Sequence, residues 1–141
     1  MKKIIALAFI MLAMVGFTQA QNIAGTYKMN FKSGTQVYTD RTPARASFSG
    51  STTFTVTQNG DEITVTLQNY GGKWSTHRMS GRVGNNKFLA VLPSGSKSVY
   101  MIQGTIKGNT ITGEYVYARY GDGNSGIVPG WTKVSYTAVR Q

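Results

Sequence analysis

From Gln21 to the C-terminus the dominant rhythm is period two: apolar and polar residues alternate, and no stretch holds a 3.6-residue apolar period over three turns. The clearest case is Thr52-Thr53-Phe54-Thr55-Val56-Thr57-Gln58, followed by Asn59-Gly60 and then by Ile63-Thr64-Val65-Thr66-Leu67. Asn-Gly between two alternating runs is a strong hairpin signal, because a type I′ turn needs positive φ at both central residues. A hairpin folded about Asn59-Gly60 sets Val56 opposite Ile63, Phe54 opposite Val65 and Thr52 opposite Leu67. One face is then apolar, while Thr53, Thr55, Thr57, Thr64, Thr66 and Glu62 make the other face wet.

Two later segments, Gly81–Phe88 and Gly104–Ile111, fit the same pattern, G-x-[VI]-x-[GN]-N-x-[FI]. Their central dipeptides, Asn85-Asn86 and Gly108-Asn109, are residue types that tolerate positive φ, so both predict hairpins of a meander. Read this way throughout, the chain predicts eight strands, near 23–31, 52–58, 62–68, 74–83, 87–92, 98–107, 110–120 and 131–139. Two connections are long. Lys32 to Ser51 has room for a short strand at Gln36-Val37-Tyr38, and Gly121 to Gly130 is rich in glycine. Sequential antiparallel strands lose both edges by closing on themselves, so the predicted fold is all-β, an eight-stranded antiparallel up-and-down barrel. A two-sheet sandwich is the alternative. A membrane barrel fits less well, since it needs an apolar exterior and a polar lumen, and the runs at 52–58 and 62–68 are short for spanning.

The first 20 residues stand apart from this pattern. Met1-Lys2-Lys3 is a basic start, Ile4 to Phe17 is almost continuously apolar, and Thr18-Gln19-Ala20 ends on small residues. This is the layout of a secretory signal peptide, with cleavage expected after Ala20. Residues 1–20 are therefore set aside, and residues 21–141 form one domain. The protein is expected to be exported, to a periplasm or beyond the cell.

Charge and composition narrow the chemistry. The chain has 15 Lys and Arg against 5 Asp and Glu, and losing Lys2 and Lys3 leaves a net charge of +8. Such an excess favours anionic partners. The bases are scattered without a run, which argues against nucleic acid. With no Cys and one His, neither a disulfide framework nor a zinc site is expected, and no cofactor is predicted. No nucleophile–base–acid set or carboxylate pair presents itself, so an enzyme is disfavoured. Asp61 and Glu62 sit beside a turn, and Asp122-Gly123-Asn124 resembles the start of a calcium loop without its later carboxylate.

Gly25-Thr26-Tyr27, at the start of the first strand, resembles the G-x-W signature that opens the lipocalin, avidin and fatty-acid-binding barrels, the calycins. In lipocalins an Arg from the C-terminal region packs across that Trp, and Arg140 is the counterpart here; Tyr27 in place of Trp is a departure. The long first loop is also lipocalin-like. The resemblance implies a small secreted barrel that binds a hydrophobic molecule.

Parity of the strands gives an inward set: Tyr27, Met29, Phe31, Phe54, Val56, Ile63, Val65, Leu67, Met79, Phe88, Leu92, Ile102, Ile106 and Ile111. The same parity turns His77, Tyr100, Tyr115, Tyr117 and Arg119 inward. A buried Arg needs an anion, so the sharper expectation is a small amphiphile. Its anionic head would lie near Arg119 and Tyr117, and its tail against Met29, Phe54 and Phe88. The plainer expectation is that Arg119 reaches solvent from a strand end and the aromatics only fill the core. On the outer parity Leu89, Val91, Val99, Met101 and Val116 form an apolar patch, the mark of an interface, here a possible homodimer.

Other classes of function require other residues. Glycan binding would use exposed aromatics such as Tyr70, Trp74, Tyr120 and Trp131. Ser94-Gly95-Ser96-Lys97-Ser98-Val99-Tyr100 is faintly similar to a stretch in lysozyme inhibitors, but a basic inhibitor would be repelled by a basic lysozyme. A cyclase or isomerase working by cavity shape alone would leave no motif.

Overall fold

The computed structural model describes residues 20–38, 44–46, 50–68, 76–94, 98–120 and 129–141. Its strands are β1 (Gly25–Tyr38), β2 (Ala44–Ala46), β3 (Gly50–Asn59), β4 (Glu62–Leu67), β5 (His77–Gly84), β6 (Lys87–Ser94), β7 (Ser98–Lys107), β8 (Thr110–Arg119) and β9 (Gly130–Arg140). From β3 onward each strand pairs antiparallel with the next, β1 pairs with β3, and β9 returns to β1 along Tyr27–Tyr38. Eight strands thus close a barrel without free edges. The ninth, β2, lies against the outer half of β1 through Gly34, Thr35 and Gln36.

Besides β2, a strand inside the connection read from Lys32 to Ser51, two details depart from the sequence pattern. The first strand runs to Tyr38 instead of ending at Phe31, because a bulge between Phe31 and Ser33 shifts its register on β9. Past the bulge β1 leaves β3 and continues between β9 and β2, so the short strand expected at 36–38 is its distal end. The first hairpin also turns one residue later than expected. Asn59 pairs with Glu62, Val56 with Val65 and Phe54 with Leu67, and the turn is Gly60-Asp61. Only Gly60 has positive φ there, at 63°, which is the type II′ pattern with glycine first. The slip moves each partner by two residues, so every side chain keeps its face. The other two turns fall on the expected dipeptides: Asn85 and Asn86 both have positive φ (51° and 59°), and Gly108 has 59°.

The apolar parity fills the bore. Every residue of the inward set is buried except Leu92, which is half-buried and packs against the rest. Ile23, Val83, Ala90, Tyr136 and Ala138 complete the core. Tyr27 stacks on Phe54 with ring centroids 5.1 Å apart, and Tyr136 meets Phe54 edge-on at 6.2 Å. Tyr136 fits because its neighbour wall carries glycine. A Cβ on Gly104 would lie 2.6 Å from Ile111 Cγ2, 2.8 Å from Phe88 Cε1 and 2.9 Å from the Tyr136 hydroxyl. That hydroxyl donates to the Gln103 carbonyl at 3.0 Å, and burial raises its pKa well above the usual phenol range. An apolar bore is the inverse of the polar lumen that a lipid-spanning barrel carries. Among the described residues no helix is long and apolar enough to cross a membrane.

The three tight turns gather at one end, and the chain start seals it. Ile23 is 1% exposed, and the Tyr27 hydroxyl donates to its carbonyl at 2.9 Å. Arg140 lies opposite Tyr27, its Cζ 5.5 Å from the ring centroid. Its Nε donates to the Tyr27 hydroxyl at 3.2 Å and its Nη2 to the Asn22 carbonyl at 3.2 Å. Gly25 makes this crossing possible: its φ is 149°, and a Cβ there would meet Arg140 Nε at 3.2 Å. Gln58 adds a clamp, accepting from Ile23 N–H at 2.8 Å and donating to the Gln21 carbonyl at 3.1 Å.

Candidate functional site

The opposite end of the barrel is where the connections β1–β2–β3, β4–β5, β6–β7 and β8–β9 lie, and there the inward positions change character. Following β7 and β8 outward from the core, Ile102 pairs with Tyr115, Tyr100 with Tyr117 and Ser98 with Arg119. His77, the first residue of β5, comes to the same level because the pairings climb round the wall: Tyr27 is level with Phe54, Phe54 with Leu67, and Leu67 with His77. Alternation puts all five of the expected polar residues on the inner face, and the tilt brings four of them together.

The rings form a partial collar. Tyr100 is central, with the His77 ring centroid 4.0 Å away, Tyr117 at 4.8 Å and Tyr115 at 6.5 Å. The Tyr115 hydroxyl lies 3.3 Å from His77 Nδ1, in hydrogen-bond range. Each of these residues is half-buried, as is Leu92, which pairs with Tyr100. Arg119 is half-buried at the end of β8, level with Ser98 and Gly130.

Burial sets the charges of this collar. It lowers the His77 pKa from 6.5, so the imidazole is neutral at pH 7. It raises the Tyr100 phenol, with a smaller contribution from Tyr117 beside it. Tyr115 rises furthest, again by burial first and then by the neighbouring Tyr100 and Tyr117 phenols. Tyr100 and Tyr115 therefore keep their protons, and phenolic O–H groups can donate to an acceptor entering the mouth. The described carboxylates are elsewhere, on the outer face and against bases: Asp61 and Glu62 at 2.7 and 3.6 Å from Arg82, and Glu114 at 3.0 Å from Lys133. Neutral donors, flat ring faces and one guanidinium suit a small anionic or ring-bearing molecule better than a cation.

The other expected ligand contacts are not at the mouth. Phe88 packs over Gly104 near the turn end, Phe54 lies between Tyr27 and Tyr136, and Met29 is 2% exposed. Gly25, Tyr27 and Arg140 belong to the sealed end. Tyr136 was not singled out, although Val134-Tyr136-Ala138 carries the alternation that would have placed it inward. Tyr70, Trp74, the 95–97 part of the inhibitor-like stretch and Asp122-Gly123-Asn124 lie outside the described residues. Among the described residues no group of His, Asp and Glu could hold a metal ion.

Leu89, Val91, Val99, Met101 and Val116 do share the outer face. Val91 pairs with Met101 and Met101 with Val116; Pro93, Val99, Ala118 and Trp131 form the adjoining row nearer the mouth.

No protein-family model and no curated protein matches this chain. Among solved structures it is similar to the monomer form of the M. tuberculosis PknI sensor domain. The TM-score is 0.55 at 12% sequence identity, over 88% of this chain and 90% of that one. The likeness is one of fold, a small antiparallel β-barrel.

Proposed function

We propose that this protein is an exported binding module whose ligand site is the aromatic mouth of the barrel. The observation that carries the reading is the convergence of His77, Tyr100, Tyr115 and Tyr117, contributed by three separate strands, at the one end not sealed by tight turns. Half-buried polar side chains gathered at one end of a barrel are costly for folding, and binding is a common reason to keep them. The class of ligand is a small anionic amphiphile. Its head takes hydrogen bonds from the Tyr100, Tyr115 and Tyr117 hydroxyls and charge from Arg119, and its tail meets Leu92 first. Contact with Met29, Phe54 and Phe88 requires a core ring to swing aside.

Two further points support the reading. The solved structure of similar fold is described as a sensor domain, which fits recognition better than catalysis. Arg140 crossing Tyr27 behind Gly25 has the form of the calycin end-seal, and calycins are small-molecule binders. Export follows from the signal-peptide layout of residues 1–20, with Gln21 as the first residue of the finished protein.

The test is native mass spectrometry after incubation with medium-chain fatty acids and retinoids. A retained ligand that is lost in Tyr117→Ala and in Arg119→Gln, while Phe54 variants of equal stability keep it, supports the mouth. Failure of both ligand classes to be retained removes the amphiphile reading.

A further inference from the structure

The outside of the barrel has two kinds of wall. On β3, β4 and the start of β1 the outward residues are polar: Thr26 pairs with Thr55, Thr55 with Thr66 and Thr57 with Thr64, and Lys28 pairs with Thr53. On β6 to β9, next to the mouth, they are Pro93, Val99, Ala118 and Trp131 in one row and Val91, Met101 and Val116 in the next. Trp131 remains 37% exposed, and Tyr120, just past the end of β8, is 56% exposed. An aromatic pair beside a contiguous apolar wall is not needed by the core, which is already complete on the other side of these strands.

The charges around this wall are unbalanced. Arg78 is exposed on the outer face of β5, two residues from Ser80, which pairs with Val91, and Lys133 pairs with Val116 on the other flank. The one described carboxylate bordering the wall is Glu114, and Lys133 already neutralises it at 3.0 Å. The whole chain carries +10 before any processing. We propose that this wall docks on an anionic lipid surface, with Trp131, Tyr120 and Val99 entering the headgroup region and Arg78 facing lipid phosphates. A second copy of the same chain would bring two strongly positive bodies together, whereas an anionic bilayer attracts one. Trp and Tyr at the rim of an apolar face, with an exposed Arg beside it, is the composition that interfacial binding selects.

Docking this way sets the mouth beside the bilayer, but the inference rests on the outer wall and does not need the mouth to hold a ligand. The experiment is co-sedimentation of the protein with vesicles of phosphatidylcholine alone and of phosphatidylcholine with an equal part of phosphatidylglycerol. Binding to the anionic vesicles should be at least about tenfold tighter and should fall as salt rises. Val99→Ser combined with Trp131→Ser should weaken it about tenfold or more, and Thr55→Ser and Thr57→Ser should leave it unchanged. In the Trp74→Phe protein the emission of Trp131 should shift to the blue on adding anionic vesicles. Three results would overturn the proposal: no sedimentation with anionic vesicles at low salt, a double variant that binds like the parent, or a solution dimer that Trp131→Ser dissociates, which would make a second copy the occupant. A protein that binds vesicles yet retains no fatty acid or retinoid sinks the ligand reading and leaves this one standing.

Discussion

The two ends of the barrel solve the same problem in opposite ways. At the turn end these polar groups are tied down: the Tyr27 hydroxyl is bonded to the Ile23 carbonyl and to Arg140, and Gln58 holds both Gln21 and Ile23. At the mouth the inward rings stack on one another, and the Tyr115 hydroxyl lies 3.3 Å from His77 Nδ1. The difference separates what the fold needs from what it carries. Residues of the sealed end should matter for stability and little for binding, and those of the mouth the reverse.

The sharpest way to break that division is Phe54→Ala, which empties the centre of the ring stack and should cost about 3–5 kcal/mol in urea unfolding. A loss below about 1 kcal/mol would mean that the bore is looser than the 0% exposure of Phe54 implies. Next is Gly104→Ala, where the new methyl meets Ile111, Phe88 and Tyr136 at 2.6 to 2.9 Å. Overpacking of this kind should cost about 1–3 kcal/mol, visible as a lowered urea midpoint at unchanged slope. Tyr27→Phe removes two hydrogen bonds and keeps the ring; about 1–2 kcal/mol is expected, because the Ile23 carbonyl and Arg140 lose a partner. At the mouth, Tyr117→Phe should change stability by less than about 0.5 kcal/mol while weakening any bound anion, the inverse of the Tyr27 result.

The smallest effect is one of pH. Burial holds the His77 pKa below its unfolded value of 6.5, so the folded chain takes up fewer protons than the unfolded one as acid is added. The His77 contribution is therefore fully present above about pH 6.5 and is lost as pH falls through that value to the lower folded pKa. A thermal-midpoint series from neutral to mildly acid pH should slope downward, and His77→Gln should flatten it. Equal slopes in the two proteins would show that the imidazole is not held apart from water.

Most of the wall was legible because alternation survives every local error. Placing the first turn on Asn59-Gly60 moved Phe54 from Leu67 to Val65 as its partner, yet both are inward residues, so the core did not change. The mouth was legible for the same reason: His77, Tyr100, Tyr115 and Tyr117 follow from parity, and only their convergence needed the tilt of the strands. What parity could not show is the bulge after Phe31, since it depends on how β1 is shared between β3 and β9, a contact over more than a hundred residues. Nor could it show depth. Met29, Phe54 and Phe88 read as lining a pocket because inward and accessible look alike in a sequence, while the space between facing walls is decided by the rings that meet there.

The closing seam joins the earliest strand of the domain to the last. Until Gly130–Arg140 has been synthesised, the β9 side of β1 has no mate, and Arg140 is not there to lie across Tyr27. Such distant pairing makes folding slow relative to local hairpins. Local hairpins can therefore form early, but the cylinder can lock only once its last strand has met its first.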